Sequence, residues 1–181
     1  MQFDGVVTTF IWRPSFPYSD TCKFIGSIPS SFGNLSELEY LDVTINPFNI
    51  LPISSLSWIW KLNKLTKLGL QMMKLTGEIL FSVGNLSQLV TLCMRGNRLS
   101  GQIPPQIANL TKLTTLILHQ NQLSGFILSE FINMSQFVVI SLSINQLQGQ
   151  KPPINLPTLK SWSLYPLSKQ LKWYCQARQL S

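Results

Sequence analysis

Apolar residues recur along this chain in a fixed phase. Leu65-Thr-Lys-Leu68-Gly-Leu70-Gln-Met-Met73-Lys-Leu75-Thr-Gly77 sets the pattern, and the segments beginning at Leu89, Leu113 and Phe137 repeat it at one even step. A further copy, Leu38-Glu-Tyr-Leu41-Asp-Val43-Thr-Ile-Asn46-Pro-Phe48, precedes Leu65 by a longer step. Its three extra residues fall in Ile50-Leu-Pro-Ile-Ser-Ser-Leu-Ser-Trp58 and predict a longer outer loop in that unit. A sixth copy, Leu159-Lys-Ser-Trp162-Ser-Leu164, arrives slightly early and lacks the asparagine. At the other end, Cys22-Lys-Phe24-Ile-Gly26-Ser-Ile28-Pro29 matches only the back half of a unit. A period of this length marks stacked units, none of which can bury its apolar face alone.

Each unit holds one short strand, such as Leu116-Ile-Leu118. Alternate strand residues face opposite sides, so Leu116 and Leu118 point to the core while Thr115, Ile117 and His119 point away. Stacking then lines up the leucines as a continuous core and pairs the strands in parallel. The expected fold is an α/β solenoid with the strands on its concave side. The asparagine column Asn46, Asn97, Asn121 and Asn145 falls where the chain leaves the strand and turns inward. A buried turn needs partners for its backbone groups, and an amide side chain both donates and accepts. Met73 breaks this column. Gly77, Gly101, Gly125 and Gly149 follow soon after it, in a phase that predicts a tight turn with positive φ.

The pattern Leu-x-x-Leu-x-Leu-x-x-Asn-x-Leu-Ser-Gly-x-Ile-Pro-x-x-x-x-Asn-Leu, seen from Leu89 to Leu110, resembles the plant-specific leucine-rich repeat of receptor-like kinases and receptor-like proteins. The phrase Tyr40-Leu-Asp-Val-Thr-Ile-Asn-Pro-Phe48 resembles a stretch of HAESA-type receptor kinases. The resemblance implies a right-handed solenoid, an inner parallel sheet, a second short strand near the Gly-x-Ile-Pro phase and 3-10 turns outside. It covers residues 22–165, leaving 1–21 and 166–181 as non-repeat flanks. Leu80, Leu128 and Lys151 disturb the Gly-x-Ile-Pro segments of their repeats. The resemblance further implies a non-catalytic module that binds a peptide or protein, with a co-receptor kinase as a second candidate partner, at the plasma membrane or outside the cell. The alternatives are an enzyme inhibitor of the polygalacturonase-inhibitor type and a truncated product without independent function. The opening residues carry no basic segment ahead of the apolar stretch and no small-residue cleavage site, so no secretory leader is expected. No apolar run approaches the roughly 18 residues a membrane span needs, and the expected picture is one part of a longer receptor ectodomain.

Composition adds little against this. Hydrophobic residues make up 45% and charged residues 12%, which favours a packed core over disorder. The net charge is +7, but the bases after Glu130 are scattered among Pro, Leu and Trp, so a solvated basic tail is expected and no nucleic-acid partner. Cys22, Cys93 and Cys175 are odd in number and widely spaced, and read as three separate thiols.

Candidate chemistry is sparse. The single histidine, His119, has no second histidine or nearby acid to work with and reads as an exposed surface residue, so no catalytic residue, metal site or cofactor is expected. The variable strand positions form three columns. One runs Tyr40, Lys67, Thr91, Thr115 and Val139, the next Asp42, Gly69, Cys93, Ile117 and Ser141, and the third Thr44, Gln71, Arg95, His119 and Ser143. Lys67, Gln71, Arg95, His119 and Ser143 are the candidate ligand contacts, because such side chains hydrogen-bond an extended peptide and Arg95 suits a carboxylate. Asn34, Asn85, Asn109 and Asn133 each open an Asn-x-Ser/Thr sequon, and the last three share one phase. They read either as glycan acceptors in a secreted protein or as part of the repeat pattern.

Overall fold

A computed structural model of the chain describes residues 9–11, 28, 30–44, 51–149 and 161–163. Seven short strands build one parallel sheet. They are β1 (Thr9–Ile11), β2 (Tyr40–Asp42), β4 (Lys67–Gly69), β6 (Thr91–Cys93), β8 (Thr115–Ile117), β10 (Val139–Ser141) and β12 (Ser161–Ser163), paired in that order. The other short strands, β3 (Leu51–Pro52), β5 (Leu75–Glu78), β7 (Arg98–Ser100), β9 (Ser124–Phe126) and β11 (Gln146–Gln148), form a second parallel ladder, β3-β5-β7 and β9-β11. An isolated bridge between Gln102 and Ser124 links its two parts. This is the second strand the repeat phase implies.

The register is the one the repeat predicts. Leu41, Leu68, Leu92, Leu116 and Ile140 stand opposite one another on successive rungs, and all five are buried. Leu38, Leu65, Leu89, Leu113 and Phe137 form a parallel buried column, as do Val43, Leu70, Met94, Leu118 and Leu142. Strands this short have too few hydrogen bonds to persist alone. Burying each leucine contributes about 1.5–3 kcal/mol, and that burial exists only when neighbouring turns are in place.

Two elements depart from the sequence reading. The sheet takes in Thr9–Ile11, within the stretch read as a non-repeat flank, with Phe10 opposite Leu41. Phe10 precedes Leu41 by more than one repeat step, so the phase did not reveal it. At the other end, Trp162 stands opposite Ile140, as the sixth copy requires. The longer outer loop expected around residues 50–58 is an ordered 3-10 segment, Ile53–Lys61, kinked at Leu56. It buries Ile53, Leu56, Trp58, Ile59 and Trp60, and Phe32 meets Trp58 edge-on at 6.0 Å. Aromatic area drives this: two tryptophans and two isoleucines cannot remain in a solvated loop when a core lies beside them.

The other outer turns are 3-10 segments at Ser30–Asn34, Phe81–Asn85, Pro105–Asn109 and Ser129–Asn133. The residues before them share one extended backbone conformation. Pro52 and Pro104 have φ −64° and −66°. Leu80 and Leu128, which replace proline in their units, have φ −70° and −63°. The substitutions therefore leave the turn intact, because leucine reaches the same region without the ring. Lys151 lies outside the described residues. Gly77, Gly101, Gly125 and Gly149 all have positive φ, between 72° and 101°. At Gly101 a Cβ would stand 2.7 Å from Glu78 Cγ, so conformation and space both demand glycine.

Candidate functional site

The amide column is the structural spine beneath the concave face. Asn97 Oδ1 accepts from the backbone N–H of Met73 and Leu75, and its Nδ2 donates to the carbonyls of Leu70 and Met94. Asn121 accepts from Leu99 N and donates to the carbonyls of Met94 and Leu118. Asn145 accepts from Leu123 N and donates to the carbonyls of Leu118 and Leu142. Each amide thus ties its own turn to the one before. Asn46 lies outside the described residues.

Above this spine the strand residues pair as the columns predict. Tyr40, Lys67, Thr91, Thr115 and Val139 stand in register. Lys67 Nζ lies 5.7 Å from the centroid of the Tyr40 ring, a cation–π contact across adjacent rungs. The middle column is shallower than period-two alternation suggests, because Asp42, Gly69 and Cys93 are buried. A Cβ on Gly69 would meet Asp42 Cγ at 2.9 Å, so the carboxylate of Asp42 lies across that glycine. Asp42 Oδ1 accepts from Thr44 N. Burial pushes the Cys93 thiol pKa up, against the opposing effects of a backbone hydrogen bond and the positive charge of Arg95.

The third column holds the polar contacts. Arg95 Nε donates to Gln71 Oε1 at 2.9 Å, joining two rungs. His119 Nδ1 and Ser141 Oγ are 3.0 Å apart. Burial, and then the positive charge of Arg95, lowers the His119 pKa, so its ring is neutral at neutral pH. Of the five candidate contacts, Lys67 is exposed, and Gln71, Arg95 and His119 are half-buried. His119, expected as exposed, is thus partly sheltered by its neighbours. Ser143, expected on the open face, is buried at 6% exposure.

Sequence reasoning missed the residues just beyond this column. Met72, Gly96, Gln120 and Ile144 all have positive φ, from 54° to 67°. Met72 and Ile144 are exposed and give the polar column an apolar rim. The signal was Gly96: a glycine in that phase marks a left-handed turn, which the other three residues adopt at a cost.

Among the described residues no group of histidine, cysteine or acidic side chains could hold a metal ion. No described helix is long and apolar enough to cross a membrane.

Comparison with known proteins places this geometry. The family model for leucine rich repeats matches residues 88–110 and 112–134. No curated protein sequence matches. Among solved structures, the Arabidopsis receptor kinase HAESA, in complex with the peptide hormone IDA and the co-receptor SERK1, is similar at 33% identity and TM-score 0.73, covering 77% of this chain and 23% of that one. The plant peptide hormone receptor RGFR1 in complex with RGF2 is similar at 29% identity and TM-score 0.72, covering 78% of this chain and 23% of that one. PEPR1 in complex with AtPEP1 is similar at 25% identity and TM-score 0.69, covering 76% of this chain and 22% of that one. The chain thus spans less than a quarter of the length of these three structures. Its repeating register, amide column and second strand ladder, together with these matches, give it the leucine-rich repeat fold, similar to that of solved plant receptor kinase ectodomains.

Proposed function

We propose that the concave face is a non-catalytic binding surface for an extended peptide or peptide-like protein segment, contacted by Lys67, Gln71, Arg95 and His119. The observation that carries this reading is the Gln71–Arg95 hydrogen bond. It holds the guanidinium side chain across two rungs, and no other described residue hydrogen-bonds its two terminal nitrogens. A fixed, partly desolvated guanidinium recognises a carboxylate in two-point geometry, and little side-chain entropy remains to be lost. The exposed ammonium of Lys67 adds positive charge on the same face, whereas the acid there, Asp42, is buried. The likeness to receptors solved with peptide hormones supports the same ligand class. By that likeness the chain acts outside the cell in signalling, as part of a membrane receptor, with a co-receptor kinase as the further partner.

The test is calorimetric titration of the chain with the IDA and RGF2 peptides, and with an array of short peptides ending in free carboxylates. Removing the charged hydrogen bonds in Arg95→Ala should weaken binding about tenfold or more. Gln71→Ala should weaken it less, since it only frees the guanidinium. Absence of binding across the whole array, or an Arg95→Ala chain that binds as the parent does, overturns the proposal.

A further inference from the structure

The rim of the concave face holds a reactive group outside the polar column. Met73 and Met94 are fully buried and Met134 is 4% exposed, whereas Met72 is 42% exposed. A thioether is oxidised only as far as the oxidant reaches its sulfur. Among the described methionines Met72 is the accessible one, and its chain neighbour Met73 is fully shielded.

The backbone fixes where this thioether lies. Met72 has φ 54°, a left-handed conformation that costs a non-glycine residue energy. Its N–H donates to the carbonyl of Arg95 at 3.0 Å. Its side chain crosses to the next rung and covers Gly96: Met72 Cγ is 3.1 Å, and Cε 3.9 Å, from where a Cβ on Gly96 would stand. The N–H of Gly96 in turn donates to the carbonyl of His119 at 3.1 Å. Met72 follows Gln71 in the chain and Gly96 follows Arg95, so this apolar contact lies one residue from the Gln71–Arg95 hydrogen bond. The turn itself does not call for methionine, since glycine, glutamine and isoleucine take the same backbone region at 96, 120 and 144.

We propose that Met72 is a modification site for hydrogen peroxide, and that its sulfoxide loosens the rim at Gly96 and weakens carboxylate binding at Arg95. The effect on binding rests on the concave face being the ligand surface; the modification and the loosening do not. In the reaction a lone pair of the Met72 sulfur attacks one peroxide oxygen. The S–O bond forms as the O–O bond breaks, and the other oxygen leaves with both hydrogens as water. The sulfur is oxidised and the peroxide is reduced, with no further reactant. The product is polar where the thioether was apolar. It gains more from water than from the backbone of Gly96, so it lifts off that residue. It also brings a strong acceptor to the rim beside Arg95, where it competes with Gln71 and with a ligand carboxylate for guanidinium N–H groups.

Timed treatment of the folded full chain with hydrogen peroxide tests each step. Fragment-ion mapping of the tryptic peptide 68–74, which carries both Met72 and Met73, should show oxygen at Met72 at least about tenfold faster than at Met73, Met94 or Met134. The Gly96 amide should exchange with solvent at least about threefold faster in the sulfoxide form. The IDA peptide should bind the sulfoxide form at least about threefold more weakly. Methionine sulfoxide reductase should restore exchange and binding in the parent sequence, so the result does not hang on a variant that folds. Met72→Leu, which keeps an apolar group over Gly96, should show no change on peroxide treatment, and this separates Met72 from the thiols. Equal oxidation of Met72 and Met73, or unchanged Gly96 exchange in the sulfoxide form, overturns the modification site. Equal IDA affinity before and after oxidation overturns its effect on Arg95. A parent chain that binds no carboxylate peptide overturns the ligand surface and that effect with it, while mapping and exchange still decide the modification site.

Discussion

At the scale of single residues, the amide column shows how one side chain does the work of a turn. Asn121 satisfies one buried N–H and two carbonyls that belong to three different residues, Leu99, Met94 and Leu118. Asn121→Ala strands the Leu99 N–H beneath a packed face where water does not substitute freely, and takes one of two amide donors from each carbonyl, since Asn97 still serves Met94 and Asn145 still serves Leu118. The expected cost is about 1–3 kcal/mol, read as a lowered denaturation midpoint, because an unsatisfied buried group costs more than a formed hydrogen bond returns. A variant as stable as the parent would show that the column is decorative. His119 gives a pH dependence of definite sign. Burial, and then Arg95, hold its folded pKa below the ordinary imidazole value of about 6.5. Across that range the unfolded chain binds more protons than the folded one, so this group makes stability fall as pH drops. His119→Gln should therefore lose less stability between about pH 7.5 and pH 5.5 than the parent does, in parallel thermal melts. Equal losses would mean that the ring titrates as it does in water.

At the scale of elements, the strands were legible because their signal is redundant. Leu68, Leu92 and Leu116 recur at one even step, and any one of them fixes the register of the others. The 3-10 turns were legible as a class through the likeness of the repeats, and the positive-φ glycines through their phase. Three things were not. Phe10 pairs with Leu41 across a spacing that belongs to no repeat. The segment Ile53–Lys61 reads as an insertion by length alone, yet its order comes from Trp58 and Trp60, whose burial depends on Phe32 and the neighbouring turns. The depth of the concave face was hidden as well. Period-two alternation says which way Ser143, Asp42 and Cys93 point, but not how much of each the adjacent side chains cover. Candidate contacts chosen by direction alone therefore included Ser143, which is buried, and omitted Met72 and Ile144, which are exposed.

At the scale of the whole molecule, stability is a sum over neighbours, and the neighbours are not equal. Each rung exchanges hydrogen bonds with the next: Leu70 N with the carbonyl of Cys93, Met94 N with that of Ile117, and Leu118 N with that of Ser141. From Asn97 onward the amide column reinforces these links, each amide reaching back one turn. Met73 interrupts it, since a thioether neither donates to a carbonyl nor accepts usefully from an N–H. Asn97 compensates only on its own side, by bonding Met73 N and Leu75 N, and nothing from Met73 reaches the turn before it. The boundary between the β2 and β4 rungs then has no amide reaching back from Met73, and the described contacts across it are apolar packing, the strand ladder, the Thr66 hydroxyl on the Glu39 carbonyl, the Lys67–Tyr40 contact and the exposed Lys64–Glu37 pair. An exposed ion pair adds at most about 1 kcal/mol and does not replace a buried amide. Native-state hydrogen exchange reads this directly, because protection reports the free energy of the opening that exposes each amide. The amide of Val43, which bonds to the Gly69 carbonyl across the seam, should exchange faster than those of Met94 and Leu118. In a stack that unfolds from its weakest interface, that difference should survive in Asn121→Ala only in reduced form, as the strong side is brought down toward the weak one. Uniform protection at Val43, Met94 and Leu118 in the parent chain would mean that packing alone sets the cooperativity and that the amide column adds nothing to it.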